Sequence, residues 1–356
     1  LATTGYIESD ERVSLVRRWF GLADEAARLE GQVAASLAGP GGAGQEAQAL
    51  SEELGRVRRE LSRLQPAAEA VLAEQAELVI EAEGLAGLGE VFPPVSFRLS
   101  KLPVALIVSP RTVIRQDASI QLEPQLPLLD QVALETRVEQ TQDVSALVVP
   151  VGGIGTYPTM IQETGALGWV AEVVLHEWTH NYLTLRPLGW NYETNAELRT
   201  MNETAAQLMG QALGRRLLEA YYPDLLPPEV VEAPAPGTQA SAPSFNFQAE
   251  MHTTRLRVDE LLSRGQVEVA EAYMEAQRQV FVAHGYAIRR LNQAYFAFYG
   301  AYADTPQGPA GEDPVGAAVR ELWARVKSPA EFLRLMASMD EVADLERALG
   351  RPVTNP

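Results

Sequence analysis

The sequence predicts an α+β fold that is mostly helical. Long Ala/Leu/Glu/Arg stretches fill residues 9 to 88, short β-rich runs bounded by Pro, Gly and Ser begin near residue 92, and helical patterns resume from about 166. The expected organisation is a helical hairpin arm at 6–90, separable from a catalytic domain at 92–356. With 356 residues, 46% apolar and 21% charged, the chain can bury a large core.

Residues 9 to 38 form the first expected helix, and Gly39-Pro40-Gly41-Gly42-Ala43-Gly44 breaks it from a second. In the second stretch Leu50, Leu54, Val57, Leu61, Leu64, Ala68 and Val71 alternate spacings of four and three, the seam of a coiled coil or an antiparallel helix pair. Such a seam also makes self-association through the arm an expectation. Pro66 is expected to begin a third helix, because proline suits a first turn and not a helix interior.

The β-rich runs are residues 95–99, 104–108, 120–122 and 146–151, which read as a small sheet. Helices are expected at about 166–186, 192–222, 256–284, 286–303, 315–326 and 329–338. Between them residues 229–246, rich in Pro, Ala and Ser, carry no periodicity and read as a loop.

A net charge of −18 makes nucleic acid and anionic membrane surfaces unfavourable partners. No apolar run is long enough for direct membrane insertion. Because the chain starts at Leu1, a signal peptide or anchor is conceivable ahead of it. Extracytoplasmic and cytoplasmic locations therefore both stay open. The absence of cysteine restricts any metal site to His and carboxylate ligands.

The segment Val173 to Leu183 contains His176-Glu177-Trp178-Thr179-His180. Two histidines four apart on a helix point about 40° from one another and can grip one metal from the same face. Glu177 lies beside them, placed to take a proton from water and not to ligate. Val173, Val174, Leu175, Trp178, Thr179, Tyr182 and Leu183 are all uncharged, as a buried helix carrying two neutral imidazoles requires. The pattern points to a zinc-dependent hydrolase.

Catalytic zinc needs a third protein ligand. The HExxHxxGxxH arrangement fails, with Leu183 and Arg186 in the Gly and His places. The next helix offers Glu193, Glu197 and Glu203; Glu197 lies about 120° around that helix from Glu203, so both cannot aim at one metal.

HEWTH followed by Asn202-Glu203-Thr204-Ala205-Ala206 resembles the gluzincin zinc metallopeptidases, and the Arg289 to Asp304 stretch is more diffusely similar to bacterial aminopeptidases. The resemblance implies Zn2+ held by His176, His180 and Glu203, Glu177 as general base, and a peptide or protein as substrate. It implies a gluzincin-like catalytic domain whose helices approach closely at Ala205 and Ala206. Gln207 stands where several gluzincins carry an acidic residue, and is the candidate to orient a ligand histidine.

Candidates for stabilising a developing oxyanion are Tyr295, with Tyr299 and Tyr302 on the same face, His252 and His284. Gly153 and Gly155, after a strand and before the zinc helix, would admit a substrate backbone. Two rival readings are a metallohydrolase acting on another bond and a scaffold protein with a vestigial zinc site.

Overall fold

A computed structural model describes residues 8–38, 45–87, 89–124, 126–151, 153–154, 156–226, 245–286, 288–302 and 314–353. Its elements are α1 (Ser9–Ala38), α2 (Gln45–Ala82), β1 (Phe97–Ser100), β2 (Val104–Pro110), β3 (Ala118–Leu122), α3 (Leu128–Gln142), β4 (Val144–Pro150), β5 (Gly153–Ile154) and β6 (Thr159–Gln162). There follow α4 (Leu167–Thr184), α5 (Pro187–Trp190), α6 (Ala196–Tyr221), α7 (Phe247–Ser263), α8 (Val267–Ala283), α9 (Gln293–Tyr302), α10 (Pro314–Arg325), α11 (Pro329–Ala337) and α12 (Val342–Leu349). The fold is α+β and mostly helical, with two three-stranded sheets where one was expected.

One sheet has the order β3-β2-β4 and is antiparallel throughout. The other has the order β1-β6-β5, with β1 and β6 parallel and in register from Phe97–Thr159 to Ser100–Gln162. Sequence reasoning missed α3, β6 and α12. It also ran α7 and α8 together, although Gly265, at φ +70°, makes the turn that separates them. The Pro-rich loop at 229–246 falls almost wholly outside the described residues, as does the Gly-rich break.

Two apolar bodies result. The larger unites α1, α2, β1, β6, α4, α6 and α10 to α12, with Trp19, Ile80, Leu99, Trp178, Met209 and Phe332 in one buried cluster. The smaller is built on β2 to β4, with α3 on one face, α9 on the other, and α7 and α8 beyond α9. A buried ion pair ties it together: Glu135 of α3, wholly buried, accepts two bonds from Arg289 at 2.6 and 2.7 Å and one from the Val148 amide at 2.7 Å.

The hairpin is present, and its seam is filled from inside the chain. Val57, Leu61, Ala68 and Val71 are buried, and α2 packs along α1. The stripe that suggested self-association therefore faces a helix of the same molecule. Nor does Pro66 start a new helix; α2 runs through it. A mid-helix proline costs about 3 kcal/mol, which apolar packing on α1 and on the main body offsets here.

Specific bonds weld this hairpin to β1. Buried Glu69 accepts from the Leu99 amide at 2.8 Å, Gln65 donates to the Leu99 carbonyl at 2.6 Å, and Glu77 accepts from the Val95 amide at 2.9 Å. Farther along, Tyr222 donates to buried Gln75 at 2.8 Å. The sequence reading expects residues 92–356 to fold without the arm. The shared core implies the opposite, since removing residues 8–86 strips α4 and α6 of apolar cover. The truncated chain should lose its cooperative thermal transition, measured by circular dichroism; a sharp, native-like transition would show a dispensable arm.

Candidate metal centre

The site is built on two helices that touch backbone to backbone. α4 is uncharged on the side it buries, with Val170, Ala171, Val174, Leu175 and Trp178 all at most 2% exposed, and Trp178 donates to the Pro93 carbonyl at 2.8 Å. Against it lies α6, started by Asn195, whose side chain accepts from the Leu198 amide at 2.8 Å. Ala205 and Ala206 are fully buried, as expected of small residues in the contact. The closest approach is one turn farther on, at residues the sequence reading did not single out. A Cβ on Gly210 would stand 2.9 Å from the Glu172 carbonyl oxygen and 2.9 Å from His176 Cβ, and one on Gly214 would stand 2.9 Å from Glu172 Cα.

This packing brings His176, His180 and Glu203 together. The two Nε2 atoms are 3.0 Å apart, and Glu203 Oε2 lies 3.8 Å from His176 Nε2 and 3.4 Å from His180 Nε2. Donors around a tetrahedral zinc, at the usual bond lengths, sit about 3.3 Å from one another. The three observed separations bracket that value. Two imidazole nitrogens at 3.0 Å facing each other also need a proton or a cation between them, and the buried Glu203 Oε2 has no hydrogen-bond partner. The donor set thus fits a small, hard-to-borderline cation. Glu197 is exposed on the first turn of α6, and Glu193 pairs with Arg199 at 2.7 Å, so neither shares the site.

Two orienting residues escaped the sequence reading. Asn202 Oδ1 accepts from His180 Nδ1 at 2.8 Å, fixing the ring with Nε2 toward Glu203. Tyr192, between α5 and α6, donates its hydroxyl to Glu203 Oε1 at 2.5 Å and sets its ring edge-on to His180. Asn202 had a signal in its adjacency to Glu203; Tyr192 had none. Gln207, expected to orient a histidine, lines the cleft together with His176, and Asn202 holds His180.

Charges in the cluster are tightly coupled. Burial is the largest influence on His176 and, with His180 beside it, pushes that imidazole down to about 3. Burial also pulls at His180, but Glu203, Glu177 and Asn202 together raise it to about 9. For Glu203 the burial effect is outweighed by His180, His176 and the Tyr192 hydroxyl, leaving it at about 2. Burial pushes Glu177 upward, with His180 opposing.

A cavity of about 550 Å3 opens on these groups. One face of α4, presenting Trp169, Glu172, Val173, His176 and Glu177, forms its floor. Across it, β4 supplies Pro150, followed by Val151, and α9 supplies Phe298 and Tyr299, so the cavity lies at the seam between the two apolar bodies. Tyr295 does not line it: one turn earlier on α9, its ring packs against the β2–β4 sheet and Tyr299, 4.6 Å away between ring centres. His252 sits on α7 and His284 ends α8, stacked on Phe245 at 3.8 Å; neither lines the cavity. Gly153 pairs with Ile161 in β5–β6, and Gly155 lies outside the described residues.

No family model, curated protein or solved structure matches this chain.

The helix contact carries a testable consequence. Gly210→Ala favours the helix by about 1 kcal/mol intrinsically, but the new methyl meets the α4 backbone, and overpacking costs about 1–3 kcal/mol. The thermal midpoint should fall. A rise would mean that α4 and α6 can part there without penalty.

Proposed function

We propose that the chain is a zinc-dependent peptidase of the gluzincin type, with His176, His180 and Glu203 as metal ligands and Glu177 as general base. One observation carries the reading: three donor atoms from two helices converge at metal-ligand spacing, with the Glu203 oxygen among them otherwise unpartnered. Zinc bound there would activate water and polarise a carbonyl.

The remaining steps belong to side chains. Glu177, on the cleft side of α4, accepts a proton from the attacking water and returns it to the departing amine nitrogen. Its burial favours the protonated form more than in water, bringing uptake and release closer in energy. Asn202 and Tyr192 hold His180 and Glu203 in place.

The cleft also favours a peptide over a phosphoester. Its lining includes three carboxylates, of Glu172, Glu177 and Glu203, and no lysine or arginine among the described residues. An anionic substrate would meet only repulsion beyond the metal, whereas a peptide is neutral along its backbone. Trp169, Val173, Phe298 and Tyr299 supply apolar surface for a side chain.

Glu177→Gln should retain zinc while peptide turnover drops at least about 100-fold. Glu203→Gln should instead lower zinc affinity by about tenfold or more, with activity partly restored by added zinc. Metal analysis and a peptide-release assay separate the two. Wild-type turnover in Glu177→Gln would sink the mechanism, and undiminished zinc affinity in Glu203→Gln would sink the ligand assignment.

Zinc binding should also depend on pH in a definite direction. Near neutrality His176 is already deprotonated and Glu203 already ionised, but His180, at about 9, must give up a proton to bind. Below that value each pH unit of acidification should weaken zinc binding about tenfold, with about one proton released on loading. Competition with a chromophoric chelator at several pH values measures the slope. A flat profile would show that His180 carries no proton in the metal-free protein.

A further inference from the structure

Glu172 has no part in the chemistry above, yet it lines the same cleft one helical turn, about 6 Å along the axis, before His176. Its backbone cannot drift. Gly210 and Gly214 of α6 allow α6 to press directly on its carbonyl and Cα, so its side chain leaves α4 from a fixed point.

The charge count around the metal leaves this carboxylate over. Glu172, Glu177 and Glu203 together carry three negative charges when ionised, and a divalent cation balances two. The side-chain partner of Glu172 is the neutral Gln211, and no lysine or arginine lines the cleft among the described residues. Burial raises its pKa, as expected of a carboxylate without a counter-charge. Trp169, next to it on the same face of α4, and Tyr299 across the cleft add aromatic surface, on which cations are also stabilised.

We propose that Glu172 is the receptor for a substrate ammonium group, so that the cleft selects peptides with a positive charge close to the bond cut. This deepens the peptidase reading and rests on it. A free α-amine and a lysine side chain present the same chemistry.

The test uses the zinc-loaded Glu177→Gln protein, in which binding is measured without turnover. Three peptides identical after the first residue are titrated calorimetrically: one with a neutral first side chain and a free α-amine, the same peptide N-acetylated, and one N-acetylated with lysine as its first residue. At least one amine-bearing peptide should bind about tenfold or more tighter than the neutral one, and the better of the two identifies the source of the ammonium. Adding Glu172→Gln should erase the preference, and Glu172→Asp should keep part of it. Circular dichroism and zinc content certify that these variants are folded.

Equal binding of all three peptides overturns the proposal, as does a preference that survives Glu172→Gln. Turnover by the wild-type protein separates the two levels. Cleavage of peptides with no preference for an amine removes the role of Glu172 alone; no cleavage of any peptide removes the peptidase reading and this inference with it.

Discussion

The contact between α4 and α6 sets the geometry of everything around it. Two helices with ordinary side chains at their interface stand 8–10 Å apart, and at that distance a glutamate on one reaches histidines on the other only in extended rotamers. Here Ala205, Ala206, Gly210 and Gly214 line the α6 side, and the last two leave room for the α4 backbone itself. The apolar core behind α4 presses the pair together. Because the contact is backbone against backbone, it is stiff, and the donor atoms of His176, His180 and Glu203 inherit that stiffness.

Stiffness has an electrostatic counterpart. Burying two imidazoles and a carboxylate is unfavourable unless each meets a partner. Asn202 satisfies one nitrogen of His180 and Tyr192 one oxygen of Glu203, which leaves the unshared nitrogen and oxygen pointing inward at each other. Burial drives His176 toward the neutral form, while Glu203 holds His180 toward the charged one. A cation would meet all three groups at once.

The cleft owes its existence to the division into two apolar bodies. The helices that carry His176, His180 and Glu203 belong to the larger, and the opposite wall, through Phe298 and Tyr299, to the smaller. Each body is held internally, the larger by the hairpin bonded to β1 and the smaller by the Glu135–Arg289 pair. Their meeting surface is the place where apolar packing gives way to carboxylates, and an excess of negative charge there matches that of the whole chain.

What the sequence determined by itself was whatever depends on neighbours along the chain. The period of four and three marked the hairpin seam, and His176 and His180 shared a face, with Glu177 flanking them, because the helix repeat requires it. Helix phase allowed only one of Glu197 and Glu203, a family likeness favoured Glu203, and the structure places Glu203 beside the histidines and leaves Glu197 exposed. What only the tertiary structure decided depends on residues far apart. Tyr192 and Asn202 meet their partners across an interface that no local pattern describes. Tyr299 and not Tyr295 reaches the cleft because, on the face of α9 that the two share, it stands one turn farther along the helix. Likewise α2 passes through Pro66, and the hairpin joins the main core, because apolar burial against distant elements outweighs the local preferences read from the sequence.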